Sequence, residues 1–248
     1  MSDKDKQPLA ASASVLPETE SADAALQHIV DGFLRFHHEV FPQQEELFKK
    51  LATAQAPRAM FITCADSRIV PELITQTAPG DLFVTRNVGN VVPPYGQMNG
   101  GVSTAIEYAV LALGVQHIII CGHSDCGAMR AVLNPDSLDK MPTVKAWLRH
   151  AEVARTMVHD NCNCADERES MHVVTEENVI AQLQHLRTHP KPMTRIGAIS
   201  CLWMAPLPSL ARRPRHASSA DSPIFTLLTV IDAVRRDRYC RARQPHFS

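Results

Sequence analysis

The stretch AMFITCADSR (residues 59–68) decides the fold, because an apolar run passes directly into a group of polar and charged residues. Further apolar runs stand at LFV (residues 82–84) and HIIIC (residues 117–121). Short runs that are mostly apolar are typical of strands buried on both faces of a parallel sheet. The sequence therefore predicts three strands of one buried sheet.

Segments with apolar residues at helical spacing lie between these runs, and further segments of this kind lie before the first run and after the last. The predicted helices cover residues 24 to Pro42, 44–52, 70–75, 101–113, 143–158 and 176–188. The resulting β-α-β-α-β alternation predicts an α/β fold, with a mainly parallel central β-sheet flanked by helices and joined by right-handed crossovers.

The composition fits one folded domain of ordinary charge. The chain has 248 residues, 45% of them hydrophobic, and a net charge of -1. We therefore expect neither nucleic acid nor a membrane as a partner, since no apolar stretch reaches the roughly 18 residues of a membrane span. Residues 1–23 are polar and aperiodic, which predicts a disordered leader before an organised domain at 24–190. The leader has no apolar segment of the secretory type, so a cytoplasmic location is expected.

Cysteine and histidine side chains follow two of the predicted strands. Cys64 ends the first strand, and His123 and Cys126 follow the third in GHSDCG. Ligands of open α/β sheets bind beyond the carboxyl ends of the strands, so these three side chains are expected at one edge. Two thiolates and one imidazole suit zinc and leave one coordination position open, as in catalytic sites. Either motif alone also fits ordinary buried side chains; the two together are much more specific.

Cysteines elsewhere in the chain need no metal. In a reducing compartment the seven cysteines are expected to be ligands, catalytic thiols or buried side chains rather than disulfides. The stretch HDNCNC (residues 159–164) could be read as a second metal site, but no further His or Cys pair completes it at useful spacing. We therefore predict no second site there.

Asp66 and Arg68 form the next candidate pair. Two residues apart in an extended or turn segment, they can lie on one side and form a charge-assisted hydrogen bond. Asp66 stands two residues from a predicted ligand, which argues against a plain surface ion pair. Its carboxylate could accept a hydrogen bond from water on the metal, or take the fourth metal position itself. Arg68 would decide between these outcomes by holding Asp66 away from the metal.

Four ordered motifs together resemble the β-class carbonic anhydrases, in particular bacterial members close to the plant-type enzymes. The motifs are CADSR (64–68), RNVGN (86–90), GG (100–101) before EYAV (107–110), and CGHSDCG (121–127). The resemblance implies reversible hydration of carbon dioxide to bicarbonate and a proton. It implies one zinc ion per chain on Cys64, His123 and Cys126, with water or Asp66 in the fourth position, and Asp66 with Arg68 as the catalytic dyad.

The resemblance also implies a narrow substrate pocket, formed partly across a dimer interface. Its residues would be Gln55, Phe83, Val88, Tyr108, Gly100 and Gly101. From the sequence alone, Gln55 is an ordinary loop residue, and Phe83 and Tyr108 are core aromatic residues. The implied assembly is a homodimer or homotetramer.

The C-terminal tail, residues 191–248, departs from the family pattern of a further strand with a Gly-Trp motif. Residues 193–248 contain nine Arg, no Lys, no Glu and three Asp, and their one clear apolar run is 224–230. Trp203-Met204 must be encoded TGG-ATG, followed by the G that begins the codon for Ala205, and reading one base later gives Gly-Trp. We hypothesise a shifted reading frame near residues 190–199, with a divergent tail as the alternative.

Two alternatives to a working carbonic anhydrase remain, and only the first depends on the altered tail. One is a zinc-binding but inactive homologue whose pocket no longer assembles. The other is a hydrolase of a related small molecule such as carbon disulfide, which would use the same zinc site with different access to the pocket.

Overall fold

The structure, a computed structural model, describes residues 21–97, 100–162 and 164–190, and the backbone of residues 196–201. It divides into an N-terminal unit, residues 1–56, and a larger unit, residues 57–248. Within the described residues, no helix is long and apolar enough to cross a bilayer.

The described part of the N-terminal unit is helical. Its elements are α1 (Ala22–Arg35), a π-helical segment (Phe36–Val40), α2 (Phe41–Gln43) and α3 (Glu45–Leu51). Ser21 begins α1, because its hydroxyl accepts a hydrogen bond from the Ala24 amide at 3.2 Å. The apolar side chains that predicted this helix include Leu26, Ile29 and Phe33, which are 61%, 68% and 72% exposed. Exposure of these large side chains leaves an apolar face on α1.

A parallel sheet of four strands lies at the centre of the larger unit. The strands are β1 (Ala59–Cys64), β2 (Leu82–Asn87), β3 (Ile118–His123) and β4 (Ile196–Cys201), in the order β2-β1-β3-β4. Every residue of β1 is buried, as its unbroken apolar run predicted. Cys64 pairs with Asn87 of β2, and Thr63 pairs with Cys121 of β3. The carboxyl ends of β1, β2 and β3 therefore lie side by side.

Helices connect and cover the strands. They are α4 (Pro71–Thr75), α5 (Gly101–Glu107) with a π-helical continuation (Tyr108–Ala112), α6 (Gly127–Leu133), α7 (Pro142–Leu148), α8 (Glu152–Asn161) and α9 (Glu167–Leu186). Short 3-10 segments stand at Pro135–Leu138 and Arg149–Ala151. The predicted α/β fold with a mainly parallel sheet is confirmed.

Several elements differ from the sequence prediction in extent. The helix predicted at 143–158 is divided by the segment Arg149–Ala151, and α9 begins nine residues earlier than expected. Helix α6 was not predicted. Strand β4 lies in the region 193–248, where the poor periodicity gave no strand, and the rest of that tail lies outside the described residues.

Two buried clusters form the core of this unit. One packs Met60 and Ile62 of β1 against α5 and the second half of α9. The other surrounds Cys64 and Cys126 with side chains of α6, α7, α8 and the first half of α9. The two cysteines at the sheet edge are therefore held inside an apolar core, which fixes their positions.

Helix α9 packs closely on β3 and on the loop after β2. A Cβ atom at Gly122 would lie 2.8 Å from Val179 Cγ2, so the helix approaches the strand as closely as glycine permits. Gln182, fully buried, accepts a hydrogen bond from the Val92 amide at 2.9 Å. Asn178 donates to the Gly89 carbonyl at 3.0 Å. These buried bonds hold the loop between β2 and α5 against the helix.

Cys162 and Cys164 follow the end of α8 and form a disulfide, with Cα atoms 5.1 Å apart. The expectation that the cysteines form no disulfides is therefore wrong for this pair, because the chain leaves the helix at Asn161 and brings the two residues within bridging distance. Cys64, Cys121 and Cys126 are buried and lie outside this disulfide.

Candidate metal centre

Three secondary-structure elements deliver the three predicted ligands to one edge of the sheet. Cys64 is the last residue of β1, His123 is the last residue of β3, and Cys126 immediately precedes α6. Between the last two, Asp125 adopts a left-handed conformation with φ of 51°, which turns the chain back so that Cys126 faces the strand ends. The local backbone thus brings together side chains that are 62 residues apart.

The three ligand atoms are close enough to hold one ion. They all lie within 4.8 Å of one another, and Cys64 Sγ is 3.9 Å from Cys126 Sγ. All three side chains are buried, with His123 fully so. Sulfur–sulfur separations near 4 Å match two thiolates on one tetrahedral zinc, whose Zn–S bonds are about 2.3 Å.

The orientation of His123 shows that its free nitrogen belongs to this cluster. Its Nδ1 donates to the Ser124 carbonyl at 2.9 Å, which leaves Nε2 as the nitrogen with a lone pair. Nε2 is buried and, among the described residues, has no hydrogen-bond partner. A buried nitrogen without a partner is costly unless something binds it, and a zinc ion on the two neighbouring sulfurs would do so. The residues present therefore fit the ion.

The electrostatics of the cluster favour a cation. The Cys126 thiol hydrogen bond lowers the pKa of Cys64 to about 4 despite burial, and the same interaction raises the pKa of Cys126. Burial works to lower the pKa of His123, but the adjacent Cys64 thiolate and Asp66 carboxylate outweigh it and raise the pKa. Cys64 and Cys126 therefore share one proton and carry one negative charge inside an apolar core. A divalent cation bound between them would neutralise that charge.

Asp66 and Arg68 meet in the turn after β1, as the sequence predicted. Arg68 Nε donates to Asp66 Oδ1 at 2.9 Å, and Nη2 donates to Oδ2 at 2.7 Å. This two-point pairing lowers the pKa of Asp66 to about 2, so the carboxylate is ionised at neutral pH. Asp66 Oδ2 lies 3.8 Å from His123 Nε2, directly beside the ligand cluster.

Arg86 holds the backbone on which these residues stand. Its guanidinium donates to the Cys64 carbonyl at 3.1 Å and to the Asp66 carbonyl at 2.6 Å. The Ala65 amide donates to the Asn87 carbonyl at 2.8 Å, which extends the β1–β2 pairing into the turn. Sequence reasoning assigned Arg86 to a family motif and gave it no role; its position at the end of β2 was the available signal.

The predicted pocket residues lie in four parts of the chain. Val88 directly follows β2 beside Cys64, and its carbonyl accepts a hydrogen bond from Trp147 at 2.8 Å. Phe83 pairs with Met60, four residues before the Asn87–Cys64 pair, so about 13 Å of strand separates it from that edge. Tyr108 lies with Phe83, at 6.0 Å between ring centroids. Gly100 and Gly101 begin α5, and Gln55 lies in the N-terminal unit.

Comparison with known proteins agrees with this geometry. The sequence profile of the carbonic anhydrase family matches residues 59–198. The chain is 54% identical to a carbonic anhydrase of Pseudomonas aeruginosa over 167 residues, which cover 66% of this chain and 74% of that protein. The solved β-carbonic anhydrase CcaA matches with a TM-score of 0.66 and 45% identity, over 67% of this chain and 75% of CcaA.

A more distant structure shares the same fold. A tetrameric β-carbonic anhydrase from Sordaria macrospora matches with a TM-score of 0.63 and 28% identity, over 71% of this chain and 91% of that one. The parallel sheet and its Cys-His-Cys edge define a metal-binding α/β protein. The chain belongs to the carbonic anhydrase family, within the β class.

Proposed function

We propose that this protein catalyses the reversible hydration of carbon dioxide to bicarbonate, with one zinc ion held by Cys64, His123 and Cys126. The observation that carries the proposal is the position of an ionised, doubly anchored carboxylate beside a three-ligand cluster. Asp66 Oδ2 lies 3.8 Å from the His123 ligand nitrogen. Membership of the carbonic anhydrase family supports the assignment.

When bound in such a site, zinc activates water by lowering its pKa to about 7. The residues of this chain then have to orient that water and admit the substrate. Asp66 is ionised and can only accept hydrogen bonds, and both of its oxygens are fixed by Arg68. With an ion bound, Asp66 would therefore select one orientation of the water and direct a lone pair of its oxygen towards the substrate position.

Arg68 has a second role in this arrangement. Asp66 is near enough to the cluster to compete for the open coordination position, which would block the reaction. Each oxygen of the carboxylate already accepts a strong hydrogen bond from the guanidinium. Holding the carboxylate in this way keeps the fourth position available for water.

A second copy of the chain would complete the pocket. The edge of the sheet where Cys64 and His123 end their strands is called the metal edge below. Phe83 and Tyr108 lie together near the opposite end of β2, and Tyr108 is 48% exposed. Within one chain they are too far along the strand to line the site, but they can line the site of a neighbour. The exposed face of α1, with Leu26, Ile29 and Phe33, offers apolar surface for the same assembly. A homodimer or homotetramer is therefore part of the proposal, as is the pocket role of Gln55, Val88, Gly100 and Gly101.

The test is stopped-flow measurement of carbon dioxide hydration by zinc-loaded protein, with zinc content and light-scattering mass measured on the same sample. We expect hydration well above the buffer rate from an oligomer with one zinc ion per chain. In Asp66→Asn, kcat should fall by about a hundredfold while zinc is retained, because the amide no longer serves as a purely accepting, charged partner. Asp139→Asn is the matched control, since Asp139 pairs with Lys145 on the surface.

Two results would overturn the proposal. A zinc-loaded oligomer that hydrates no carbon dioxide would favour the inactive homologue, and hydrolysis of carbon disulfide without carbon dioxide hydration would favour the other alternative. Full activity in Asp66→Asn would remove the role given to the carboxylate.

A further inference from the structure

Asp125 stands between two metal ligands and makes a second set of contacts to the catalytic arginine. Arg68 Nη2 donates to the Asp125 carbonyl at 3.0 Å, and Nη1 lies 3.5 Å from Asp125 Oδ2. The carbonyl points to Arg68 because Asp125 has the left-handed backbone conformation, φ 51°, that few residues with a Cβ adopt. The guanidinium therefore has two anchors, Asp66 on one side and Asp125 on the other.

Arg130 of α6 fixes Asp125 from the opposite side. Its Nη2 donates to Asp125 Oδ1 at 2.6 Å, and its Nη1 donates to Glu167 Oε1 at 2.7 Å. Glu167 is the first residue of α9, the helix that packs on β3. Alternating charges thus run from Asp66 through Arg68, Asp125 and Arg130 to Glu167, and join the metal edge to two helices.

We propose that Asp125 and Arg130 are positioning residues for the Asp66–Arg68 dyad. They set the place of the Arg68 guanidinium, and through it keep the Asp66 carboxylate off the metal and aimed at the reacting water. This inference rests on the function proposed above. It concerns residues that neither touch the substrate position nor bind the ion.

The geometry separates this chain of contacts from ordinary surface ion pairs. An isolated exposed pair has little effect, because solvent screens it and both side chains lose freedom. Here each of the three inner groups bonds on two sides, so moving one displaces the next. The unusual backbone of Asp125 also needs surrounding contacts to persist, and Arg130 and Arg68 supply them.

Removing the Arg130 contacts should loosen the guanidinium of Arg68 without touching the ligands. Asp125 then keeps one of its two arginine partners, and its carbonyl is free to rotate away from Arg68. Arg68 in turn would hold Asp66 less firmly. The carboxylate, whose Oδ2 lies 3.8 Å from His123 Nε2, could then bind the ion in its open position. The site keeps its metal and loses the position that water needs.

The experiment compares Arg130→Met, Arg130→Lys and Arg155→Met in the full-length protein. Arg155 is the matched control, because it is an arginine of similar exposure that pairs with Glu152 on α8. Each protein is assayed for zinc content, thermal midpoint, and kcat and KM of carbon dioxide hydration. Each is also prepared with cobalt(II), whose absorption bands report the coordination of the ion, and titrated with thiocyanate, which competes for the open position.

We expect Arg130→Met to retain one metal per chain and a thermal midpoint close to that of Arg155→Met. Its kcat should fall by about tenfold with KM little changed. Its cobalt bands should differ from those of the wild type, and thiocyanate should bind about tenfold more weakly because Asp66 occupies the position. Arg130→Lys should recover part of both effects, since it keeps one charged contact to Asp125.

Unchanged cobalt bands and thiocyanate affinity in Arg130→Met would overturn the inference, whatever happens to its thermal midpoint. Equal losses in Arg130→Met and Arg155→Met would also overturn it, because the effect would then be one of general stability. The cobalt comparison needs no carbon dioxide hydration. Failure of the proposed function, seen as an inactive wild type, is therefore distinguishable from failure of this inference.

Discussion

Two arginine side chains organise the metal edge at the scale of single residues. Arg86 binds the carbonyls of Cys64 and Asp66, and Arg68 binds the Asp66 carboxylate. A guanidinium can do this because it presents several donors in a rigid plane and stays charged at any working pH. The carboxylate is therefore fixed on a fixed turn, next to three proposed ligands that an apolar core holds in place.

The ligand assignment predicts which cysteine matters for metal binding. Cys64→Ala should lose zinc on dialysis, because two remaining ligands cannot complete a tetrahedral site. Cys121→Ala should keep about one zinc ion per chain, although Cys121 is also a buried cysteine outside the disulfide, on a neighbouring strand. Metal content by atomic emission, measured after both variants are shown to be folded by circular dichroism, distinguishes them. Stoichiometric zinc in folded Cys64→Ala would remove this residue from the site.

The sequence predicted that Cys64, His123 and Cys126 would lie together and that Asp66 would pair with Arg68, and the structure has both arrangements. The cluster could be predicted because the three residues follow the ends of neighbouring strands, and the pair because its members are two residues apart in one turn. No sequence pattern indicated the contacts of Asp125 and Arg130. The contact from Arg130 to Arg68 through Asp125 depends on one left-handed residue and on where α6 begins, and neither has a distinct signature in the sequence.

At the scale of secondary structure, α9 is the element that positions the rest. It packs on β3, binds the loop after β2 through Asn178 and Gln182, and begins at Glu167, which holds Arg130. The helix opens with the charged and polar run ERES (residues 167–170), which gives no apolar period and explains why its first half was missed in the sequence. The start of α9 does carry a sequence signal. The Asp166 side chain accepts a hydrogen bond from the Glu169 amide, and the Glu169 side chain accepts one from the Ala165 amide.

The strands were easier to predict than the helices around the site. β1 and β3 are apolar along almost their whole length, so burial on both faces leaves a plain pattern. Helix α6 is seven residues long and begins directly after a ligand, which hides its period. Strand β4 pairs with β3 through backbone bonds, and sequence periodicity is a poor guide to such pairing at the edge of the described sheet.

The close approach of α9 to β3 predicts an intolerance of side chains at Gly122. Gly122→Ala should lower the free energy of unfolding by about 1–3 kcal/mol, because its Cβ would lie 2.8 Å from Val179 Cγ2. Urea denaturation followed by circular dichroism measures the change. Gly127→Ala is the matched control, since a Cβ there meets nothing within 4 Å.

A double variant shows whether the clash is the cause. Gly122→Ala combined with Val179→Ala should be less destabilised than the sum of the two single changes, because the shortened Val179 makes room. Simple additivity of the two single changes would mean that helix and strand do not meet here as described.

At the scale of the larger unit, three partly or fully buried histidines make stability depend on pH. Burial lowers the pKa of His150, His185 and His189. His185, whose ring centroid lies 6.5 Å from that of His150, and the positive charge of Arg149 lower the pKa of His150 further. His185 Nδ1 donates to the Val92 carbonyl at 2.9 Å, and His189 lies beside Ser103 and Tyr95. The folded chain therefore favours the neutral form of all three.

The direction of the pH effect follows from these lowered pKa values. An unfolded histidine titrates near pH 6.5, so below that pH the unfolded chain binds more protons than the folded one. The stabilisation is fully present above about pH 6.5 and is lost as the pH falls through the lower folded pKa values. The urea midpoint should drop between pH 7.5 and pH 5.5. His185→Gln should reduce this drop by roughly a third, because one of three titrating groups is gone.

The substitution isolates the charge of His185, because glutamine can still donate to the Val92 carbonyl. Any pH effect of the zinc site is the same in both proteins and does not affect the comparison. His159→Gln is the control, since His159 is exposed at the end of α8. An identical drop of the urea midpoint in His185→Gln and in the wild type would show that the buried histidines do not cause the acid sensitivity.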